Sequence, residues 1–322
     1  MRKMDSTQVK QNMGKSGEVM PVKEFLENVA YQKLKKLLHE TVELDCNGYR
    51  DEYLKRRFAV RLTATGTNTY SRYVRYLKKN PAEFNLVLSN LVINYTTFFR
   101  DSDVYFYLEK VILPRLFKSN NVRIWSAGCA TGEEPYSLAI LVHKLLGKTL
   151  SNYQVRIFAS DLDEDALAKA VKGEYHRKQL NGLEDSLIDK YFSNNGESYQ
   201  VRDFVKQLVR FEKHDLMKPS VRKGFDLILC RNVMIFFSRE SQQQIHMHFY
   251  NALRDGGYLV IGKSEILSGE PSKKFLCSDV NCRVYQKSLV DDCCRPSCDL
   301  RVAKADTLSL NNTAGGQWLV VQ

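Results

Sequence analysis

The chain has 322 residues, 43% hydrophobic and 26% charged, with a formal net charge of +11. Those proportions exclude a disordered or collagen-like polymer and allow one large packed domain plus a smaller one. No apolar run reaches the ~18 residues that a membrane-spanning helix needs, and none follows the basic N-terminus as in a secretory signal, so the chain reads as cytoplasmic.

The positive charge is concentrated early. Residues 1–120 carry 21 Lys/Arg against 13 Asp/Glu, which accounts for +8 of the total of +11. Such a field favours an acidic partner: nucleic acid, a membrane surface or an acidic protein. Residues 1–20 are polar and rich in Lys, Gln, Ser and Gly, and the expectation there is disorder. Residues 21–92 read as an all-helical domain. F-L-E-N-V-A-Y-Q-K-L-K-K-L-L-H-E repeats apolar residues at intervals of three and four, and Leu54, Phe58 and Leu62 share one face of the next helix. Asn80-Pro81 stops a third. Between Tyr53 and Ala82 there are eight basic residues and no acidic one.

From Val122 short β-rich runs alternate with helical stretches: V-R-I-W-S-A, V-R-I-F-A-S-D, F-D-L-I-L-C-R-N and G-G-Y-L-V-I-G are each followed or preceded by a helix pattern. This is the signature of an α/β fold with a mainly parallel sheet covered on both faces. The alternation pauses at about 175–210, which leaves room for an inserted β-subdomain turning at Asn194-Asn195-Gly196. Cys129 and Cys230 fall in core elements, and His143, His214, His246 and His248 read as surface or satisfied helix histidines. Residues 289–322 form a tail. Cys293, Cys294 and Cys298 lie in it without a paired C-x-x-C or a nearby His, so they read as incidental rather than metal-binding.

The loop W-S-A-G-C-A-T-G-E-E-P-Y-S (125–137) joins the first strand to its helix. It fails the P-loop pattern, because Gly132 is followed by Glu133 and Glu134, two carboxylates that would repel a triphosphate. It also fails G-x-G-x-x-G. Acidic residues there favour a ligand carrying positive charge, and S-adenosylmethionine (SAM) carries an amino group and a sulfonium. The loop alone also fits an ordinary tight turn. Asp161, at the tip of the second strand, sits where Rossmann-type domains hold ribose hydroxyls. Asp163 is the better helix cap, which would leave Asp161 free.

Five stretches, in this order and spacing, resemble the chemotaxis receptor glutamate methyltransferases of the CheR type: N-Y-T-T-F-F-R-D (94–101), the 125–137 loop, F-A-S-D-L-D (158–163), F-D-L-I-L-C-R-N-V-M-I-F-F (225–237) and G-G-Y-L-V-I-G-K-S-E (256–265). The resemblance covers about residues 22–288. It implies a Rossmann-like class I SAM methyltransferase sheet at 93–288, an all-helical N-terminal domain at 21–92 and the small β-subdomain insert. It also implies methyl transfer from SAM to chemoreceptor glutamates, giving methyl esters and S-adenosylhomocysteine (SAH). The implied cofactor residues are Asn94, Thr96, Arg100, Gly128, Glu134, Asp161, Asp215, Leu216, Arg231 and Asn232. Arg100 and Phe236 are the implied catalytic positions, and no metal is implied.

Two positions depart from the family pattern: Asp215 stands where Asn is usual, and Phe236 where Tyr is usual, close to the transferred methyl. By the same resemblance, Lys55, Arg56, Arg57 and Arg61 meet an acidic receptor helical bundle, Arg57 and Arg61 sharing a helix face. The implied protein is a monomer that reaches the membrane through the receptor alone. The short S-N-N-G-E-S-Y loop argues against a receptor-peptide tether. The nucleophile needs no general base, because a Glu carboxyl ordinarily titrates near pH 4.3, at about that value in an open chain, and is already ionised at neutral pH. A methyltransferase of another acceptor, such as nucleic acid, and a non-catalytic SAM/SAH-binding module are the alternatives. No N-P-P-Y-type motif and no aromatic-interleaved basic groove supports the nucleic-acid reading.

Overall fold

A computed structural model describes residues 21–92 and 94–288. The N-terminal stretch and the cysteine-bearing tail singled out above lie outside the described residues. The chain divides into two compact units. Of the described residues, one unit takes 21–92 together with Phe236–Ser241, and the other takes Asn94–Ile235 and 242–288.

The first unit is helical: α1 (Val22–Val42), α2 (Asp51–Ala64), α3 (Tyr70–Lys79) and α4 (Glu83–Leu91). The buried residues follow helical spacing: Tyr31, Leu34 and Leu38 on α1, Leu54 and Phe58 on α2, Tyr73 and Leu77 on α3, Val87 and Leu91 on α4. Thr69 caps α3 by accepting from the Arg72 amide, and the helix stops before Pro81, where the missing N–H ends the ladder. One carboxylate is buried among these helices. Glu83 accepts both nitrogens of the Arg61 fork at 2.9 and 2.8 Å and the Tyr73 hydroxyl at 2.7 Å. The segment Phe236–Ser241 joins this unit through backbone bonds: Arg50 N–H donates to Phe236 O and Ser238 N–H to Gly48 O.

The second unit is a seven-stranded sheet in the order β6-β2-β1-β7-β8-β10-β9. The strands are β1 (Asn121–Ala127), β2 (Gln154–Asp161), β6 (Val209–Lys213), β7 (Phe225–Cys230), β8 (Leu253–Ile261), β9 (Phe275–Asp279) and β10 (Val284–Lys287). β6, β2, β1, β7 and β8 run parallel, and β10 runs antiparallel to both its neighbours. β7, F-D-L-I-L-C, is buried at all six positions, as a central strand covered on both faces requires.

Helices α5 (Glu133–Leu146), α6 (Glu164–Lys172) and α7 (Arg239–Ala252) supply crossovers. A second, three-stranded antiparallel sheet is formed by β3 (Glu174–Tyr175), β5 (Tyr199–Val201) and β4 (Phe192–Asn194). Its hairpin turns where Asn194 Oδ1 accepts the Gly196 amide at 2.8 Å. After this subdomain the alternation resumes at Val209, which pairs with β2 in the main sheet. Among the described residues, no helix is long and apolar enough to cross a membrane.

Candidate active site

In the strand order, β1 is flanked by β2 and β7, and the chain winds outward in opposite directions from these two. Such a switch point opens a crevice at the carboxyl ends of parallel strands. Four loops leave that edge: 128–132 after β1, 162–163 after β2, 214–216 after β6 and 231–233 after β7. They carry Gly128, Asp215, Leu216, Arg231 and Asn232, and Asp161 is the last residue of β2.

The loop after β1 is held by its own amides. Gly128 and Cys129 N–H both donate to Ser160 O, at 2.8 and 2.9 Å. Gly128 has φ +81°, and a Cβ there would meet Val233 Cγ2 at 2.6 Å. Gly132 has φ +97°, and a Cβ would meet Ala170 Cβ at 2.9 Å. Both positions therefore need glycine for conformation and for space.

Ala130 also has positive φ, which turns its N–H onto Asp161 Oδ2 at 2.8 Å. Asp161 Oδ1 accepts the Asp163 amide at 3.0 Å, and Asp161 O accepts His214 N–H at 3.0 Å. Each Asp161 oxygen thus accepts one backbone amide, the left-handed turn at Ala130 aiming an otherwise orphaned N–H at Oδ2, and each keeps a lone pair that a ribose hydroxyl can use. Burial raises its carboxyl above the usual range, offset in part by these amides. Asp163 does cap α6, accepting from Asp165 and Ala166 N–H, and its other oxygen takes Asn94 Nδ2 at 2.6 Å.

Arg231 is the centre of a buried charge chain, its side chain 2% exposed. Nη2 reaches Asp101 Oδ2 at 2.5 Å, Nη1 lies 3.7 Å from Glu134 Oε2, and the guanidinium sits over the Tyr105 ring. Glu134 Oε1 accepts the Ser126 hydroxyl at 2.8 Å. Burial raises the Glu134 carboxyl, while Arg231 and Arg100 pull it down. Arg100 donates from Nη1 to Tyr95 O at 3.1 Å and lies over the Tyr95 ring, folded onto its own loop beside half-buried Thr96. Asp215 Oδ1 accepts the Met217 amide at 2.9 Å, and Leu216 O lies 3.3 Å from His248 Nδ1.

Three buried polar atoms of this set have no hydrogen-bond partner among the described residues: Asn94 Oδ1, Asn232 Oδ1 and Arg231 Nε. Buried polar groups are normally hydrogen-bonded, so these three atoms are available to a ligand. Two acceptors, a donor and glycines that admit close backbone approach fit a zwitterionic ligand with ribose hydroxyls, which describes SAM.

The remaining candidates belong to the helical unit. Lys55 and Arg56 are exposed on α2, over the rings of Tyr31 and Tyr53 respectively. Arg57 and Arg61 are engaged within the unit, Arg57 Nε with Asn90 O and Arg61 with Glu83. Phe236 packs its ring 4.8 Å from that of Tyr53. The sequence reading missed Asp101, Ser126 and Glu265 as members of the site's framework. All three stand inside the quoted motifs, and their signal was a carboxylate or hydroxyl embedded in a small-residue or apolar run.

A parallel sheet closed by one antiparallel strand, with this braced loop at its switch point, defines a SAM-dependent methyltransferase of class I. The chain matches the family model described as "CheR methyltransferase, SAM binding domain" over residues 94–283, and that described as "CheR methyltransferase, all-alpha domain" over residues 30–92. It belongs to the CheR methyltransferase family. Among its relatives is a "Chemotaxis protein methyltransferase" from Listeria innocua, 35% identical over 237 residues, covering 73% of this chain and 89% of that one. Proteins of the same name from Borreliella burgdorferi and Salmonella typhimurium are 30% and 31% identical. They cover 76% of this chain in each case and 90% and 85% of their own lengths.

Proposed function

We propose that this SAM-dependent methyltransferase esterifies glutamate side chains of chemoreceptors, acting on their cytoplasmic helical bundle as a monomer. The observation that carries the reading is the buried Arg231–Glu134–Asp101 chain beside the orphaned Asn94 and Asn232 oxygens at the sheet's switch point. Bound there, SAM supplies a methyl group on a positively charged sulfur. The acceptor carboxylate is ionised at neutral pH, so the protein need not remove a proton. What its residues supply is placement, which can contribute roughly 7–11 kcal/mol.

The braced loop 128–132 offers backbone to the cofactor. Asn94 and Asn232 present acceptors, and Arg231 presents a donor already fixed by two carboxylates. Arg100 spends one nitrogen on Tyr95 O, and its fork has further donors to orient an incoming carboxylate. Lys55 and Arg56 on α2 draw an acidic helix toward the enzyme by long-range attraction.

The test uses methyl-labelled SAM and receptor-containing membranes. Labelled receptor that releases volatile methanol in mild base establishes carboxyl methylation. Base-stable label identifies another acceptor. No label with intact SAH binding by calorimetry overturns the receptor reading.

A further inference from the structure

We propose that Glu265 is a positioning residue for the cofactor, acting through Asn232. It stands in the turn after β8, at Gly262-Lys263-Ser264-Glu265, and is 4% exposed with no cationic side chain paired to it among the described residues. Its carboxylate instead collects backbone N–H groups. Oε1 accepts Met234 N–H at 2.8 Å and Oε2 accepts Gly262 N–H at 2.6 Å. Burial raises this carboxyl above its usual range, and the amides of Gly262, Met234, Asn232 and Ile235 offset the rise in part. A single carboxylate thus spans the loop after β7 and the turn after β8. It satisfies amides that a left-handed residue leaves without helical or strand partners, since Asn232 has φ +60°.

The fit is close. A Cβ on Gly262 would lie 2.8 Å from Asn232 N and 2.8 Å from Glu265 Oε2, so the glycine is what lets the two segments approach. The consequence is directional. Asn232 is kept in an unfavourable backbone conformation, and its buried Oδ1 has no partner among the described residues. Losing the carboxylate frees the turn to relax and withdraws that acceptor. This inference rests on the SAM-site reading of Asn232.

The experiment measures SAH affinity by calorimetry, kcat and KM for SAM, and thermal stability. It uses the full chain, wild type, E265Q, G262A and E109Q. Glu109 is a buried carboxylate of the same unit, paired with Lys144 and Lys110 away from the crevice, so E109Q controls for stability alone. E265Q keeps the shape but turns one acceptor into a donor facing an amide. The expected result is SAH affinity lower by about tenfold or more in E265Q, as loss of charge-assisted hydrogen bonds implies. KM for SAM rises with it. G262A, which keeps the carboxylate but spoils the approach, shows the same pattern, and E109Q loses stability without losing affinity. Wild-type affinity in E265Q or G262A, or an equal loss in E109Q, overturns the proposal. Failure of the wild type to bind SAH overturns the cofactor reading itself.

Discussion

At Phe236 the family's usual hydroxyl is missing, and the ring that remains packs on Tyr53 at 4.8 Å. An ionised carboxylate attacking a sulfonium methyl needs no proton removed, so a hydroxyl there could only polarise or place. We expect F236Y to fold normally and to change kcat by less than about tenfold, below the roughly 10²–10⁴-fold that acid–base help contributes. A rise of about a hundredfold would show that this chain has lost a chemically active group.

A second residue-scale consequence lies in His246. It reads in the sequence as a satisfied or surface histidine, but it is 1% exposed and neither ring nitrogen has a partner among the described residues. Burial lowers its pKa from 6.5 to about 4. The neutral ring is the form the fold holds, so its contribution is complete above pH 6.5. That contribution is lost progressively as pH falls toward about 4, by roughly 3 kcal/mol in all. Urea midpoints at pH 7.5 and 5 are expected to diverge in the wild type and to draw together in H246L. Equal divergence in both would assign the acid sensitivity elsewhere.

At the scale of the element, α2 carries two kinds of cation that its sequence does not distinguish. Lys55 and Arg56 are exposed, whereas Arg61 is buried to 17% exposure against Glu83, itself 4% exposed and also holding Tyr73. Removing one partner of a buried pair leaves an uncompensated charge, which costs about 3–5 kcal/mol. R61A is therefore expected to fail mainly in stability, measured by denaturant unfolding. The double change K55E/R56E is expected to leave unfolding and SAH binding unchanged while lowering kcat/KM on receptor membranes. A stable R61A with selectively weakened receptor turnover would return Arg61 to the receptor surface.

At the scale of the whole molecule, the net charge of +11 bears on encounter. Receptor methylation by the wild type is expected to slow as salt rises, because the Debye length shrinks from about 10 Å at 0.1 M to about 3 Å at 1 M. In K55E/R56E that slope should flatten. SAH binding, made inside the crevice, should keep its affinity across the same series.

Element types, the change from helical to alternating texture near Val122, and the character of the 125–137 loop were all legible in consecutive residues. Periodicity and turn chemistry are local, and the motifs that place the chain in its family are contiguous. What the sequence could not decide is where each charged group spends its bonds. Asp161 stands out at the tip of its strand, but that it also braces Ala130 across 31 positions is not written there. Arg61 read as a receptor contact, yet it answers Glu83, 22 positions away. Glu265 drew no notice, yet it gathers amides from a loop 31 positions earlier. The partner of a buried charge is fixed by which segments the order of packed helices and strands brings together. That order is a property of the packed chain, because the cost of leaving a charge or an amide unpaired arises only once water has been excluded around it.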